Sequence, residues 1–182
     1  NITFIFLFLF YSVNLIAQNR VNQAKVQERI WLDSRIGHDG DYHWKMFKAQ
    51  EIADSGENIS RTGYPMDKWL PAIVPGTVLN SLVYNRKYPE PYYGLNNKLE
   101  SKLIPDISET GRDFYTYWFR TEFDVPQTFA KKKIWLQLDG INYRAEVWVN
   151  GNLLSVVNGM FVTDYINVTD LSLIHISEPT RH

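Results

Sequence analysis

The sequence predicts an all-β domain, an antiparallel sandwich of jelly-roll type, on three observations. Short runs that alternate apolar and polar residues fill the middle of the chain, and Gly, Pro and Asn separate these runs. Aromatic residues make up 15% of the 182 residues, an enrichment typical of strands. Helical spacing occurs in one short segment. Many short strands with long connections and little helix favour a jelly roll.

The longest alternating run covers residues 115–123. Its odd-numbered residues, from Tyr115 to Phe123, share one face of the predicted strand, and its even-numbered residues, which include Arg120, share the other. Further strands are predicted around residues 44–47 and at residues 134–139, 145–149 and 153–157.

Two local signals fix individual elements. Asn150-Gly151 predicts a tight hairpin turn, because both residues adopt positive φ at low cost. Thr77 predicts the start of the single helix, because it can cap the short apolar stripe that begins at Val78.

Composition excludes several classes of function. With 19 Lys and Arg against 20 Asp and Glu, the chain lacks the positive field that nucleic acids require. The absence of cysteine excludes disulfides, thiol nucleophiles and Cys-based zinc sites. His38 and His43 lack the spacing of a helical zinc pair, and an ion-free acidic turn is the commoner explanation of Asp39 and Asp41. We therefore expect no metal and no cofactor.

The N-terminus has the composition of an export signal. Residues 2–16 include twelve apolar residues and end before Ala17, a run short for a membrane span and typical of a signal peptide. We expect that residues 1–17 are a signal peptide that is cleaved off and that residues 18–29 are a linker. The protein is then expected to be periplasmic or extracellular. A retained membrane anchor, and with it a membrane-anchored interaction domain, is the alternative.

The C-terminus has a different character. Residues 172–182 resemble the translation of a sequencing adapter, so we expect a non-native tail and a jelly roll that is incomplete at its C-terminal end. A native strand at residues 173–176 is the alternative.

One irregular segment suggests a binding site. Residues 89–96 contain two prolines and a glycine around Tyr92 and Tyr93. Such rings can stack on the C–H faces of sugars, or they can plug one end of the sandwich. Carboxylates are also available, but their spacing selects no catalytic pair, and solvated charges at strand edges are the commoner explanation; they are Glu90, Glu100, Asp106, Asp113, Glu122 and Asp139.

Four segments in register carry a family resemblance. Residues 69–79, 88–96 and 111–120, and the pair 138–142 and 146–151, resemble the N-terminal sugar-binding-like domain of glycoside hydrolase family 2. The similarity is strongest to the branch of exo-β-glucosaminidases and β-mannosidases. It covers residues 30–171 and implies a galactose-binding-like jelly roll.

The resemblance implies that catalysis belongs to another domain of the parent enzyme. In the family this domain precedes an immunoglobulin-like domain and a (β/α)8 barrel, and the barrel carries both catalytic glutamates. The resemblance therefore implies a retaining exo-β-glycosidase as the parent enzyme, a fragment without the barrel, and no catalytic residue among the carboxylates here.

The resemblance also implies which residues approach the sugar. Jelly-roll loops of the family help to close the pocket around a terminal β-linked glucosamine or mannose. Tyr92, Tyr93, Asn96 and Asp113 are the corresponding substrate-contact candidates. The implied partners are that carbohydrate and the other domains of the same chain. A free-standing carbohydrate-binding module is the alternative.

Overall fold

The computed structural model describes residues 2–7, 12–18, 28–34 and 43–172. They form two antiparallel sheets, and short helices lie in the connections between strands. The strands are β1 (Ile2–Leu7), β2 (Ser12–Gln18), β3 (Glu28–Trp31), β4 (Lys45–Lys48), β5 (Leu70–Pro71), β6 (Tyr117–Phe123), β7 (Lys133–Asp139), β8 (Arg144–Val149), β9 (Asn152–Asn158) and β10 (Thr163–Asn167). The α-helices are α1 (Gly56–Ile59), α2 (Val78–Tyr84), α3 (Ile107–Thr110) and α4 (Thr169–Ser172).

The two sheets face each other across one core. The six-stranded sheet has the order β5-β4-β6-β1-β8-β9, and the four-stranded sheet has the order β10-β7-β2-β3. Phe119 and Val147 come from the first sheet, Leu136 and Leu138 come from the second, and all four are fully buried in the same cluster. Alternation along each strand supplies these residues, so the predicted all-β sandwich is confirmed.

Local signals in the sequence coincide with observed elements. The Thr77 hydroxyl accepts a hydrogen bond from the Asn80 N–H at 2.8 Å and caps α2. Asn150 and Gly151 have φ of 48° and 87° and join β8 to β9, as the hairpin signal predicts. The structure adds single-turn helices and 3-10 turns that the alternation pattern does not reveal.

The strand predicted to begin at Tyr115 begins at Tyr117 instead. Residues 112–115 form a 3-10 turn, and the Tyr115 hydroxyl donates to the carbonyl oxygen of Pro105 at 2.5 Å. This bond holds the Tyr115 ring against the loop that contains Pro105. The apolar–polar alternation of the sequence therefore begins two residues before the strand does.

The N-terminal segments pair within both sheets. β1 and all but the last residue of β2 lie within residues 1–17, the span predicted as an export signal, and β3 begins inside the predicted linker. Export itself stays a prediction. Among the described residues, no helix is long and apolar enough to cross a membrane. His38, Asp39, Asp41 and residues 173–182 lie outside the described residues.

Both faces of β6 are covered, including the face that carries Arg120. The Arg120 side chain has no exposed surface. Its guanidinium donates to the carbonyl oxygens of Ile59 at 2.9 Å and Arg61 at 2.8 Å, and it pairs with the carboxylate of Glu122. Residues 56–61, which begin with α1, therefore lie over the outer face of this sheet. We call this segment the cover.

We predict that Arg120→Ala lowers the free energy of unfolding by about 3–5 kcal/mol, because it leaves two carbonyls and the half-buried Glu122 carboxylate without their guanidinium partner. Arg61→Ala is the matched control, since its side chain is 63% exposed and pairs with Glu57 four residues away. The control should cost at most about 0.5 kcal/mol. Urea unfolding of both variants checks this, and equal losses would contradict the proposed role of Arg120.

Candidate functional site

The segment from Tyr88 to Asn97 is a hydrogen-bonded surface loop. The N–H of Tyr93 donates to the carbonyl of Glu90, and the N–H of Asn96 donates to the carbonyl of Tyr93, each at 3.2 Å. Gly94 has a φ of 56°, which glycine adopts without strain. These bonds give the loop a defined shape, so side chains on it point in fixed directions.

Tyr92 and Tyr93 project from this loop into solvent. Tyr92 is 92% exposed and Tyr93 is 77% exposed. Neither ring therefore plugs the end of the sandwich, which was one of the two interpretations of the sequence. Exposed aromatic rings on a structured loop are suited to stacking against a flat apolar face.

Asn96 has a role within the loop. Its side-chain Nδ2 donates to the backbone carbonyl of Glu90 at 2.9 Å, and its backbone carbonyl accepts from the hydroxyl of Ser101 at 3.1 Å. The side-chain nitrogen and the backbone carbonyl of Asn96 thus help to close the loop, and the side-chain oxygen is the atom that could accept a hydrogen bond from a ligand.

Asp113 lies in the second candidate segment, the 3-10 turn before β6. Its side chain is exposed, and its backbone carbonyl accepts from the N–H of Thr116 at 3.1 Å. Nearby, Asp106 caps α3. The hydroxyl and N–H of Ser108 both donate to this carboxylate and lower the pKa of Asp106. Asp106 is therefore held ionised and serves as a helix cap.

A cluster of tyrosines joins the two candidate segments at their base. Tyr88 and Tyr115 pack against the main core, and Tyr117 is buried in it. Burial and, to a lesser extent, the neighbouring Tyr88 hydroxyl together raise the pKa of Tyr115 and of Tyr117 to about 12. The three hydroxyls therefore stay protonated at neutral pH, and the cluster places the loop beside the β6 entry.

A cleft of about 360 Å³ opens beside these segments. Tyr88, which leads into the loop, and Phe114, which follows Asp113, both line it. The Lys48 ammonium lies 4.2 Å from the centre of the Phe114 ring. The lining residues are Met46, Phe47, Lys48, Glu51, Lys68, Leu70, Leu82, Lys87, Tyr88, Phe114 and Tyr117.

The cleft was not predicted from the sequence. Its three lysines come from β4, the segment before β5 and the segment after α2, so no local spacing links them. The charged residues of the lining are these three lysines and one acidic residue, Glu51. The cleft can therefore hold a neutral or anionic polar ligand over aromatic rings, and it disfavours a cation.

Three of the six candidate carboxylates are engaged in contacts within the fold. Glu122 is paired with Arg120, Asp106 caps α3, and Asp139 accepts from the Gln137 amide at 2.8 Å. The part of the chain that the structure describes contains no group of three or more His, Cys, Asp or Glu that could hold a metal ion. Glu122, Asp106 and Asp139 therefore act as structural acceptors.

Known proteins are similar to this chain in sequence. The glycosyl hydrolase 2 galactose-binding domain-like family matches residues 44–176. A mannosylglycoprotein endo-β-mannosidase of Lilium longiflorum is 36% identical over 134 residues, which are 72% of this chain and 14% of the relative. An exo-β-D-glucosaminidase of Streptomyces avermitilis is 31% identical over 66% of this chain and 13% of that protein.

A solved structure is also similar to this chain. The crystal structure of an exo-chitosanase from Amycolatopsis orientalis aligns with a TM-score of 0.58 and 26% identity, over 71% of this chain and 14% of that chain. The chain thus spans about one-seventh of the length of these relatives. Since the family match covers most of the chain in sequence, and the structural likeness agrees with it, the chain belongs to the glycosyl hydrolase 2 galactose-binding domain-like family.

Proposed function

We propose that this chain is the non-catalytic N-terminal domain of an exported glycoside hydrolase that removes terminal β-linked mannose or glucosamine. The family match over residues 44–176 carries the proposal, because the relatives it groups are glycosidases several times longer than this chain. The domain's part is to help close the pocket around the sugar, and the catalytic carboxylates belong to the remainder of the enzyme.

The exposed loop supports a role in substrate contact. Tyr92 and Tyr93 are exposed although aromatic rings gain free energy when they are buried. Asp113 stands exposed on the neighbouring segment, and the tyrosine cluster holds the two segments together. Rings that stack and a carboxylate that accepts hydrogen bonds from hydroxyls are the groups that a sugar pocket uses.

An exposed apolar patch supports docking against further domains. Tyr143, Met160, Phe161 and Tyr165 are each more than half exposed. The N–H of Gly159 donates to the carbonyl of Tyr143 at 2.7 Å and brings two of the segments together. Contiguous exposed apolar side chains are typical of surfaces that another domain covers.

The charge of the cleft favours mannose over glucosamine. Glucosamine carries an ammonium group at neutral pH, and mannose carries none. Lys48, Lys68 and Lys87 outnumber the single carboxylate in the cleft beside the candidate loop. Like charges within about 7 Å in water repel by about 0.6 kcal/mol each, which favours the neutral sugar.

The second candidate function is a free-standing carbohydrate-binding module. The exposed tyrosines favour it equally, since stacking needs no catalytic partner. The genomic sequence past codon 171 separates the two functions. A continued frame that encodes a barrel supports the enzyme domain, and an early stop supports the module.

We predict that Tyr93→Ala and Asp113→Ala in the full-length enzyme lower kcat/KM by up to roughly a hundredfold, because each removes a sugar contact. The unfolding free energy should change by less than about 1 kcal/mol. Asn96→Ala should also disturb the loop, since its amide holds Glu90. Kinetics and melting of each variant are the measurement.

Leu153→Ala is the control for these variants, because that side chain is 47% exposed on β9, at the opposite edge of the larger sheet from β5 and β4. Unchanged kcat/KM with a large loss of stability in Tyr93→Ala would show that the ring packs a domain interface and does not contact substrate.

We predict that methyl β-mannoside binds this domain roughly two- to tenfold more tightly than methyl β-glucosaminide at pH 6, because the lysines repel the ammonium group. The preference should shrink in Lys87→Glu and at pH 9, where the amine of the glucosaminide is neutral. Titration calorimetry measures both affinities. A preference that persists unchanged in Lys87→Glu would rule out the cleft as its source.

A further inference from the structure

The cleft carries a positive charge that the chain as a whole does not. Lys48, Lys68 and Lys87 line it together with one acidic residue, Glu51, which leaves two positive charges in excess. The whole chain has a formal net charge of −1. Among the described residues, none of the three lysines forms an ion pair, and neither does Glu51. The cleft therefore has a local positive field that the described carboxylates do not neutralise, and such a field attracts an anion.

Lys48 is held in place at the end of the core. It lies directly opposite Tyr117 in the ladder between β4 and β6, so the two side chains leave the sheet on the same face, with Cβ atoms about 5 Å apart. The Lys48 ammonium lies 4.2 Å from the centre of the Phe114 ring, and this ring packs edge to face against Tyr115 at 5.0 Å. The half-buried Lys48 is thus a positioned cation.

The cleft also contains hydroxyl groups that the protein does not use. Tyr117 is only 8% exposed, and both it and Tyr88 line the cleft. The Tyr115 hydroxyl donates to the carbonyl of Pro105, whereas the hydroxyls of Tyr88 and Tyr117 have no hydrogen-bond partner in the described part of the chain. A nearly buried hydroxyl without a partner is costly. A ligand oxygen that accepts from the Tyr117 hydroxyl would remove this cost.

The size and the lining of the cleft suit one sugar unit. Its volume of about 360 Å³ lies near the lower end of the range for small-molecule pockets, roughly 300–1,000 Å³. Phe114, Tyr88 and Tyr117 supply rings, and Met46 and Leu70 supply apolar contacts. Rings beside hydroxyl donors fit a pyranose, because its C–H groups contact the rings and its oxygens accept hydrogen bonds.

We propose that this cleft binds an acidic sugar, a pyranose that carries a carboxylate or a sulfate ester. The lysines attract the anionic group, the Tyr117 hydroxyl donates to one of its oxygens, and the rings contact the sugar. A neutral sugar leaves the positive charge uncompensated, and a small inorganic anion leaves the rings and the apolar contacts unused. Such a site is additional to the contact with the terminal sugar, and it does not depend on which terminal sugar the enzyme removes.

Binding of matched sugars by the 182-residue chain tests this site. Methyl β-glucuronide should bind roughly tenfold more tightly than methyl β-glucoside, which has a hydroxymethyl group in place of the carboxylate. Methyl β-glucoside 6-sulfate tests the sulfate ester in the same way, and the tighter of the two acidic sugars identifies the preferred anionic group. In an NMR titration, the largest amide shifts should fall on β4 and on residues 114–117. Equal affinity for the acidic and the neutral sugars, or no binding of any of them, would overturn the proposal.

Four variants separate the cleft from the general surface charge. Lys68→Gln and Tyr117→Phe should each reduce the preference for the acidic sugar by at least about threefold, because each removes one partner of the anionic group. Lys98→Gln and Tyr84→Phe are the matched controls, since both side chains are exposed outside the lining of the cleft. Both controls should keep the full preference. An equal reduction in the variants and the controls would overturn the proposal.

Inorganic sulfate distinguishes an acidic sugar from a simple anion. At constant ionic strength it should bind more weakly than the sulfated sugar, because it makes no contact with the rings. Equal affinity for inorganic sulfate and for the sulfated sugar would show an anion site without sugar recognition and would overturn the proposal.

Discussion

The rest of this structure depends on the cover that residues 56–61 place across the larger sheet. Through Arg120 the cover holds β6, and through Gly151 and Trp148 it holds β8 and the hairpin that follows. The buried guanidinium has two backbone carbonyls and a carboxylate as partners, so its charge is compensated. The cover therefore fixes the distance between β6 and β8, which do not pair with each other, and β1 lies between them.

The same sheet positions the candidate site. β6 begins where the 3-10 turn with Asp113 ends, and the Tyr117 ring at its first residue is buried beside Tyr88 and Tyr115. A rigid strand thus fixes one candidate segment, and the tyrosine cluster ties the other to it. The exposed rings of Tyr92 and Tyr93 stand on a loop whose base is packed into the core, which suits a surface that must keep its shape while it meets a ligand.

Much of the fold could be predicted from local chemistry. Asn150-Gly151 and Thr77 act through their own backbone preferences, so the hairpin and α2 follow from the sequence. The burial of Arg120 could not be predicted, since its partners Ile59 and Arg61 lie about sixty residues away. The lysines of the cleft come from separate segments for the same reason. Residues 2–18 are apolar enough for an export signal and for strands, and composition alone does not separate the two roles.

The most direct test of the proposed function is a crystal structure of the full-length enzyme with a terminal β-mannoside bound. The account predicts that the Tyr93 ring lies within about 4.5 Å of the sugar, a contact distance between heavy atoms, and that the Asp113 carboxylate faces a sugar hydroxyl. A structure in which both residues are buried against another domain, and no residue of the loop approaches the sugar, would contradict it.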